Sequence, residues 1–497
     1  MLSSLGIDLP TAVLLCLAIM LALSFEFVNG FHDTANAVAT VIYTHSLAPT
    51  QAVIWSGLWN LVGVLTSSGA VAFGIVALLP VELVINVGSG AGFAMVFALL
   101  LSAIVWNLGT WYLGLPASSS HTLIGSIVGV GLMNSFMSPD SAFGDGVNWA
   151  KVADTVKALV LSPLIGFVAA GLLLLVAKAL LRRPELFCAP EGGRPPPAWI
   201  RGLLVLTCTG VSFAHGSNDG QKGMGLIVLI LVGIVPAAFA LNLGTSPEAL
   251  HRLSIASSAF SVALEKIPGA QAPAVVDADR AHQQLTAYLR TGRSDGGTLP
   301  ALAVVNARVS GRVARLDSLS ALPGSDRRAL RLDMYLVSES LTRMQKAKSL
   351  PAGLDASDAA SYAKALKSVT NFVPVWVKVA VALALGLGTM IGWKRIVVTV
   401  GEKIGKAHLT YGQGAAAELV AFGTITAADT LGLPVSTTHI LSSGIAGTMV
   451  ANGSGIQRET VRNILLAWVL TLPVCVLLGA ALFGAALFFV LRVAGVH

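Results

Sequence analysis

The 497-residue chain predicts an all-α, polytopic membrane protein. Its expected architecture is two inverted-topology repeats with broken helices and re-entrant-type hairpins, plus a small helical extramembrane insertion. Three observations carry this expectation. Mean hydropathy is +0.77, with 55% apolar and only 11% charged residues, a composition of chains that cross a bilayer repeatedly. Apolar stretches near the roughly 20 residues that span the hydrocarbon core recur along the sequence. Third, one polar phrase occurs twice inside such stretches: Gly30-Phe-His-Asp-Thr-Ala-Asn-Ala37, and about 186 residues later Gly216-Ser-Asn-Asp-Gly-Gln-Lys-Gly223. An aspartate in a bilayer costs roughly 2.5–3.5 kcal/mol on insertion scales. A duplicated polar break of this kind is the mark of a secondary transporter whose site lies between two repeats.

Taken in order, the expected spans are Thr11–Phe31, Ala52–Leu79, Gly92–Tyr112, Thr122–Leu132, Val156–Leu181, Gly202–Phe213 and Gly225–Leu241. After a polar interval they resume at Val373–Ile391, Ala415–Ala428, Ile440–Val450 and Ile464–Val490. Some are short and some long enough to be kinked or double, so ten to twelve membrane segments are expected. The first has no basic n-region and runs into Glu26 and Asp33, so it reads as a span rather than a cleavable signal. Residues 1–181 then form the first transmembrane repeat, 182–201 a linker, 202–242 the first part of the second repeat, 243–372 a polar helical insertion, and 373–497 the remainder.

A second pair of phrases supports this division. Gly114-Leu-Pro-Ala-Ser-Ser-Ser-His121 is echoed by Gly432-Leu-Pro-Val-Ser-Thr-Thr-His439. Both halves carry the two motifs in the same order, and the insertion accounts for the longer spacing in the second. Within the insertion, Leu330, Met334, Val337, Leu341 and Met344 recur at helical spacing, with Arg327, Arg328, Arg331, Lys346 and Lys348 around them. This reads as solvent-facing helices packed on each other. The linker, with its R-R-P and P-P-P runs, reads as an irregular hinge. Its Arg182, Arg183, Arg194 and Arg201 suggest a cytoplasmic side. If residues 202–241 cross twice, the insertion joins it there. The basic cluster Lys394, Arg395, Lys403 and Lys406 then falls on the opposite side, and reconciling the two needs an extra or missing crossing.

Proline has no N–H and disfavours a helical predecessor, so each Leu-Pro ends one helix and lets another begin just after it. Ser118, Ser119 and Ser120, and Ser436, Thr437 and Thr438, then occupy first turns, where free N–H groups and the positive dipole end favour an anion. Two such starts could grip one tetrahedral oxyanion. Ser/Thr runs also cap or pack helices, and for a single run that is the default. Duplication tips the reading toward oxyanion binding. His121 and His439 could orient their loops by hydrogen bonds, the favoured role, or join a proton path. On the cation side, Asp33 and Asp219 with Asn29, Asn36 and Asn218 offer oxygen ligands for a hard cation or for proton carriage. Glycines 30, 216, 220 and 223 are expected to let the helix unwind and expose carbonyls. A buried ion pair of Lys222 with Asp33 or Asp219 is the structural alternative. Glu26, Glu418, Asp429 and Lys378 rank second because none has a counterpart of its own type in the other half.

Other classes fit poorly. Half of the basic residues, 16 of 32, fall between Arg252 and Lys367 among interspersed acids, so nucleic-acid binding is not indicated. Cys16, Cys188, Cys208 and Cys475 lack metal-ligand spacing and read as packing thiols. No cofactor motif is evident. Gln221 and Gly223 do not suit a Walker loop, and no nucleophile elbow marks a hydrolase. Hydrolysis and a passive channel remain as less favoured alternatives.

Together the motifs resemble the inorganic phosphate transporter (PiT) family. The long runs around Asp33, Pro116, Asp219 and Pro434 look like its bacterial low-affinity Pit branch. That resemblance implies proton-coupled uptake of phosphate, including neutral complexes of a divalent metal with phosphate, in a bacterial cytoplasmic membrane. Asp33 and Asp219 would then touch the metal. It also implies inverted repeats and binding near the bilayer midplane. Sodium-coupled relatives carry Asn where this chain has His32 and Lys222, which suggests that protons replace sodium here. Expected partners are inorganic phosphate, protons, a divalent metal carried as metal-phosphate and the bilayer, with a homodimer left open. Sodium coupling and transport of another oxyanion such as sulfate are the nearest alternatives.

Overall fold

The computed structural model describes residues 7–138, 142–190, 193–270 and 277–492, and it is helical, with no strand among them. The first half contains α1 (Leu9–Asp33), α2 (Ala35–Tyr43), α3 (Pro49–Thr66), α4 (Ala70–Val76), α5 (Val81–Ile85), α6 (Gly90–Tyr112), α7 (Ser119–Met137) and α8 (Trp149–Leu180). After the linker come α9 (Ala198–Ile234), the single turn α10 (Pro236–Phe239), and the insertion helices α11 (Pro247–Glu265), α12 (Ala278–Thr291), α13 (Thr298–Val313), α14 (Gly324–Lys346) and α15 (Ala356–Thr370). The chain closes with α16 (Val375–Met390), α17 (Lys394–Glu402), α18 (Tyr411–Thr430), α19 (Thr437–Ala451) and α20 (Arg458–Arg492).

Among the described residues, five helices are long and apolar enough to cross a membrane, or up to seven if each bent pair counts as one span. This is fewer than the ten to twelve expected, because helices such as α7 and α19 are short, polar-studded and buried among the long ones. The halves are interlocked. α7 packs along α20 and α19 along α8, while α1 packs on α16 and α9 on α3, so each half supplies the wall for the other. Glycine permits the closest crossings: a Cβ at Gly216 would overlap the Asn60 carbonyl, and one at Gly30 the Leu385 carbonyl.

Those glycines do not unwind the chain as expected. α9 runs unbroken through Gly216, Gly220 and Gly223. In the first half only Thr34 interrupts the helix, and its φ of −51° and ψ of −38° remain helical. The intrahelical N–H···O=C ladder survives because glycine here serves side-to-side packing, and every hydrogen bond kept away from water stays made. The sharp bend of the first half lies elsewhere, at 77° between α3 and α4.

Continuity of α9 also resolves the orientation conflict. Its 37 residues span about 55 Å, enough for one full crossing, so 202–241 does not cross twice. At its start, Arg201 Nε donates to the Ser46 carbonyl (2.7 Å), and the linker residues Leu186 and Phe187 pack against Gly412. His408 lies against Tyr43 on the same end, with ring centroids 6.4 Å apart. The linker and the end of the second basic cluster therefore share one side. The insertion lies at the other end of α9, where Arg327 donates to the Ala237 carbonyl (2.7 Å) and Arg331 to that of Ala240 (2.8 Å).

The insertion has its own core, in which Leu330, Met334, Val337, Leu341 and Met344 are all buried, as their spacing predicts. Asp333, fully buried, pins three helices through His282 (2.6 Å), Arg308 (3.3 Å) and Arg312 (3.6 Å). Not all the basic residues of α14 face solvent. Burial lowers Arg331 to about 10, and its guanidinium also donates to the Thr370 carbonyl, tying α14 to α15.

Candidate functional site

Both Gly-Leu-Pro phrases fold identically. Gly114 and Gly432 take left-handed φ of +69° and +64°. Paired hydrogen bonds close the turn: Leu115 N–H to Thr110 O and Gly114 N–H to Trp111 O in one, Leu433 to Ala428 and Gly432 to Asp429 in the other, all 2.9–3.0 Å. This Schellman arrangement ends α6 and α18 before the proline is reached. The chain then starts a new helix. Ser118 caps α7 by accepting from the His121 N–H (3.2 Å), and Ser436 caps α19 by accepting from the His439 N–H (3.1 Å). Two of the six predicted oxyanion hydroxyls are thus engaged as caps.

Three of the other four contact the polar phrases. Ser119 Oγ donates to Asp33 Oδ2 (3.2 Å) and lies 3.4 Å from Asp219 Oδ2. Thr438 Oγ1 donates to Asp33 Oδ1 (2.5 Å). Thr437 and Thr438 both accept from the Asn36 amide, at 3.2 and 3.0 Å. Ser120 instead donates to Val435 O (2.7 Å), linking one hairpin loop to the other. The helix starts and the carboxylates, read from the sequence as opposite sides of a site, are in direct contact.

The carboxylates are shut away from solvent. Asp33 is 2% exposed, Asp219 1% and Lys222 0%. Lys222 Nζ meets Asp219 Oδ2 at 2.6 Å and Ser119 Oγ at 3.4 Å, so the ion-pair alternative holds for Asp219. His32 bridges Asp33 Oδ1 (3.3 Å) and Thr110 Oγ1 (3.1 Å). Asn218 donates to Leu433 O (3.2 Å), and Asn29 reaches Glu26 (3.4 Å). The amide oxygens of Asn29, Asn36 and Asn218 are buried without a partner among the described residues. Buried acceptors of this kind cost about 1–3 kcal/mol each, which a bound ligand recovers.

His121 and His439 differ from expectation. No side-chain hydrogen bond to either ring is found among the described residues, and it is their backbone N–H groups that fix the loops. The rings lie 4.7 Å apart, and His439 stacks at 3.9 Å on Trp468, whose indole donates to Pro116 O (2.9 Å).

Sequence reasoning missed His215. It stands four residues before Asp219, as Asn29 stands four before Asp33, and i,i+4 spacing puts it on the same helix face. Its Nε2 lies 3.7 Å from Asp33 Oδ2 and 3.5 Å from Asp219 Oδ2. The second-rank acids are structural anchors. Glu26 accepts from the Gly223 N–H (2.6 Å), and Glu418 accepts from Thr40 and Thr207, joining α18 to α2 and α9. Lys378 donates to Ser67 O at the end of α3 (2.8 Å).

With this geometry in view, the phosphate transporter family (PHO4) profile matches residues 29–479. The chain belongs to that family. It is 43% identical to the low-affinity inorganic phosphate transporter PitB of Escherichia coli K12 over 97% of this chain and 98% of PitB. It is 42% identical to PitA of the same strain over 97% and 99%. Among solved structures, "The sodium-dependent phosphate transporter" aligns with a TM-score of 0.51 at 18% identity, covering 95% of this chain and 98% of that one, which establishes a shared fold. The family resemblance read from the motifs holds. The chain is an integral membrane transporter of the phosphate family rather than an enzyme.

Proposed function

We propose that this protein is a secondary transporter that takes up inorganic phosphate by proton symport, accepting it also as a divalent metal–phosphate complex. The observation that carries this reading is the meeting of α7 and α19 on Asp33: Ser119 and Thr438, each from a helix start, hold its two carboxylate oxygens. Phosphate would take the N-terminal turns of both helices, using Ser119, Ser120, Thr437 and Thr438 with the unpaired N–H groups of the first turns. Asp33 and Asp219 would hold the metal or the coupling proton. The crossed packing of the two halves favours inverted repeats rocking about the shared site, with access alternating between sides.

Lys222 favours protons over sodium. Its ammonium, 2.6 Å from Asp219, supplies the positive charge that a sodium ion would bring. Arg182, Arg183, Arg201, Lys403 and Lys406 gather at the linker end, which makes that end cytoplasmic by the positive-inside rule. The insertion then faces outward; at well over 60 residues its own charges do not set orientation.

The test is uptake of labelled phosphate into proteoliposomes under an imposed pH gradient, with and without sodium and Mg²⁺. Uphill accumulation driven by the gradient alone is expected. Strict sodium dependence would sink proton coupling, and efficient competition by sulfate would change the substrate.

A further inference from the structure

We propose that His215 is a third ligand for the cation of the metal–phosphate cargo, making the site selective for a late first-row divalent ion such as zinc or cobalt over magnesium or calcium. This rests on the metal–phosphate reading above. Asp33, His215 and Asp219 each offer one ligand atom, and these atoms lie within 4.8 Å of one another. Ligand atoms of a tetrahedral ion at about 2.0–2.1 Å sit roughly 3.3–3.4 Å apart. The imidazole Nε2 lies 3.7 and 3.5 Å from the two carboxylates, so movements of a few tenths of an ångström would close the set on an ion.

Two buried atoms point to a ligand there. His215 Nε2 and Asp219 Oδ1 have no hydrogen-bond partner among the described residues. The Asp219 oxygen 3.5 Å from the imidazole is the one that Lys222 holds, so an ion there would share Oδ2 with the ammonium or turn the carboxylate to engage the unpartnered Oδ1.

The ring is also held in the orientation a ligand requires. Thr389 spends its hydroxyl proton on Leu385 O (2.9 Å), so it must accept from Asn60 Nδ2 (3.0 Å). That turns Asn60 Oδ1 toward His215 Nδ1 (2.9 Å), which therefore carries a proton. With Nδ1 so protonated, a metal would take the place of any Nε2 proton, and the Nε2 lone pair would then face it from beside the two carboxylates. A metal-bound histidine characteristically has its far nitrogen held this way. Asn60 and Thr389 are thus positioning residues. Carboxylates alone suit magnesium and calcium, whereas an imidazole shifts preference toward zinc and its neighbours. Three protein ligands leave a fourth position, which a phosphate oxygen held near Ser119 would fill.

The test uses the purified full-length protein. Cobalt(II) is titrated with inorganic phosphate present, and its visible d–d absorption is followed. In proteoliposomes, zinc-supported and magnesium-supported phosphate uptake are compared. Wild type should give the intense absorption of a low-coordinate cobalt ion. His215→Asn should weaken cobalt and zinc binding at least ~100-fold and lower the zinc-to-magnesium uptake ratio. Thr389→Val, which removes only the distal hydroxyl, should weaken binding about 10-fold, and it keeps the test open should the histidine variant misfold. Equal zinc affinity in wild type and both variants overturns the proposal, as does proportionate loss of zinc- and magnesium-supported uptake. If wild type accumulates phosphate but never binds cobalt, this inference fails while phosphate transport stands. If it accumulates no phosphate, both fail.

Discussion

Two corresponding corners of the molecule are closed by different chemistry. In the first half Phe31, two residues before Asp33, packs edge-on against Trp111, three residues before Gly114, with ring centroids 5.1 Å apart. The Trp111 indole donates to Gly392 O (2.7 Å), just ahead of α17. In the second half the same positions relative to Asp219 and Gly432 are Ser217 and Asp429. Asp429 accepts from Ser217 (2.7 Å) and from Gln221 (2.6 Å), and Gln221 accepts in turn from the Val71 N–H at the start of α4 (2.8 Å). One corner is an aromatic contact with a single hydrogen bond; the other is a carboxylate holding a polar chain. An aromatic pair contributes about 0.5–1.5 kcal/mol beyond its area, and a hydrogen bond to a charged group about 1.5–3 kcal/mol. Matching positions in the two halves thus close differently: the linker side by packed rings, with the Arg395 guanidinium 5.2 Å over Trp111, and the insertion side by a carboxylate.

The largest effects should come where the halves converge. Asp33→Asn and Asp219→Asn should each lower phosphate accumulation at least ~100-fold, since removing one member of a buried charged pair costs about 3–5 kcal/mol. Undiminished uptake in either variant would remove that half from the site. Next, Lys222→Asn places in the second copy what Asn36 is in the first. Proton-driven uptake should fall about 10-fold and sodium should begin to stimulate it; no response to sodium would break the link between Lys222 and ion choice.

The corners themselves can be opened separately. With a reporter cysteine at Asn36 in a cysteine-free background, Asp429→Ala should raise labelling from the insertion side about 10-fold, through loss of two hydrogen bonds to a charge. Trp111→Phe removes one neutral bond and should raise labelling from the linker side only about 3–5-fold. Equal labelling from both sides in either variant would erase the comparison. The smallest effect concerns packing: Gly216→Ala drives a methyl into the Asn60 carbonyl and should destabilise by about 1–3 kcal/mol, read as a lower melting temperature. Gly202→Ala, which meets nothing within 4 Å, serves as its control.

Much of this was legible in the residues because repetition makes a weak signal strong. A lone Ser-Ser-Ser is an ordinary helix cap, and Ser118 behaves as one, but its pairing with Ser436 located both hairpin starts. Periodicity placed the buried face of α14. What escaped depends on distances between remote segments. His215 sat in plain view within a recognisable run, yet its value comes from Asp33, which no spacing rule brings near it. Helix continuity was misread for a related reason: glycine beside polar residues suggests unwinding, whereas the carbonyls of Asn60 and Leu385 show the space glycine leaves for a neighbouring backbone.

α9 also has a mechanical meaning. It is a stiff rod about 55 Å long, held near its middle where Gly216 rides on Asn60 and Gly63 on Phe213. A rod pinned at mid-length is a lever. Any tilt that carries Arg201 one way carries Ile234 and the attached insertion the other, while His215, Asp219 and Lys222, beside the fulcrum, hardly travel at all.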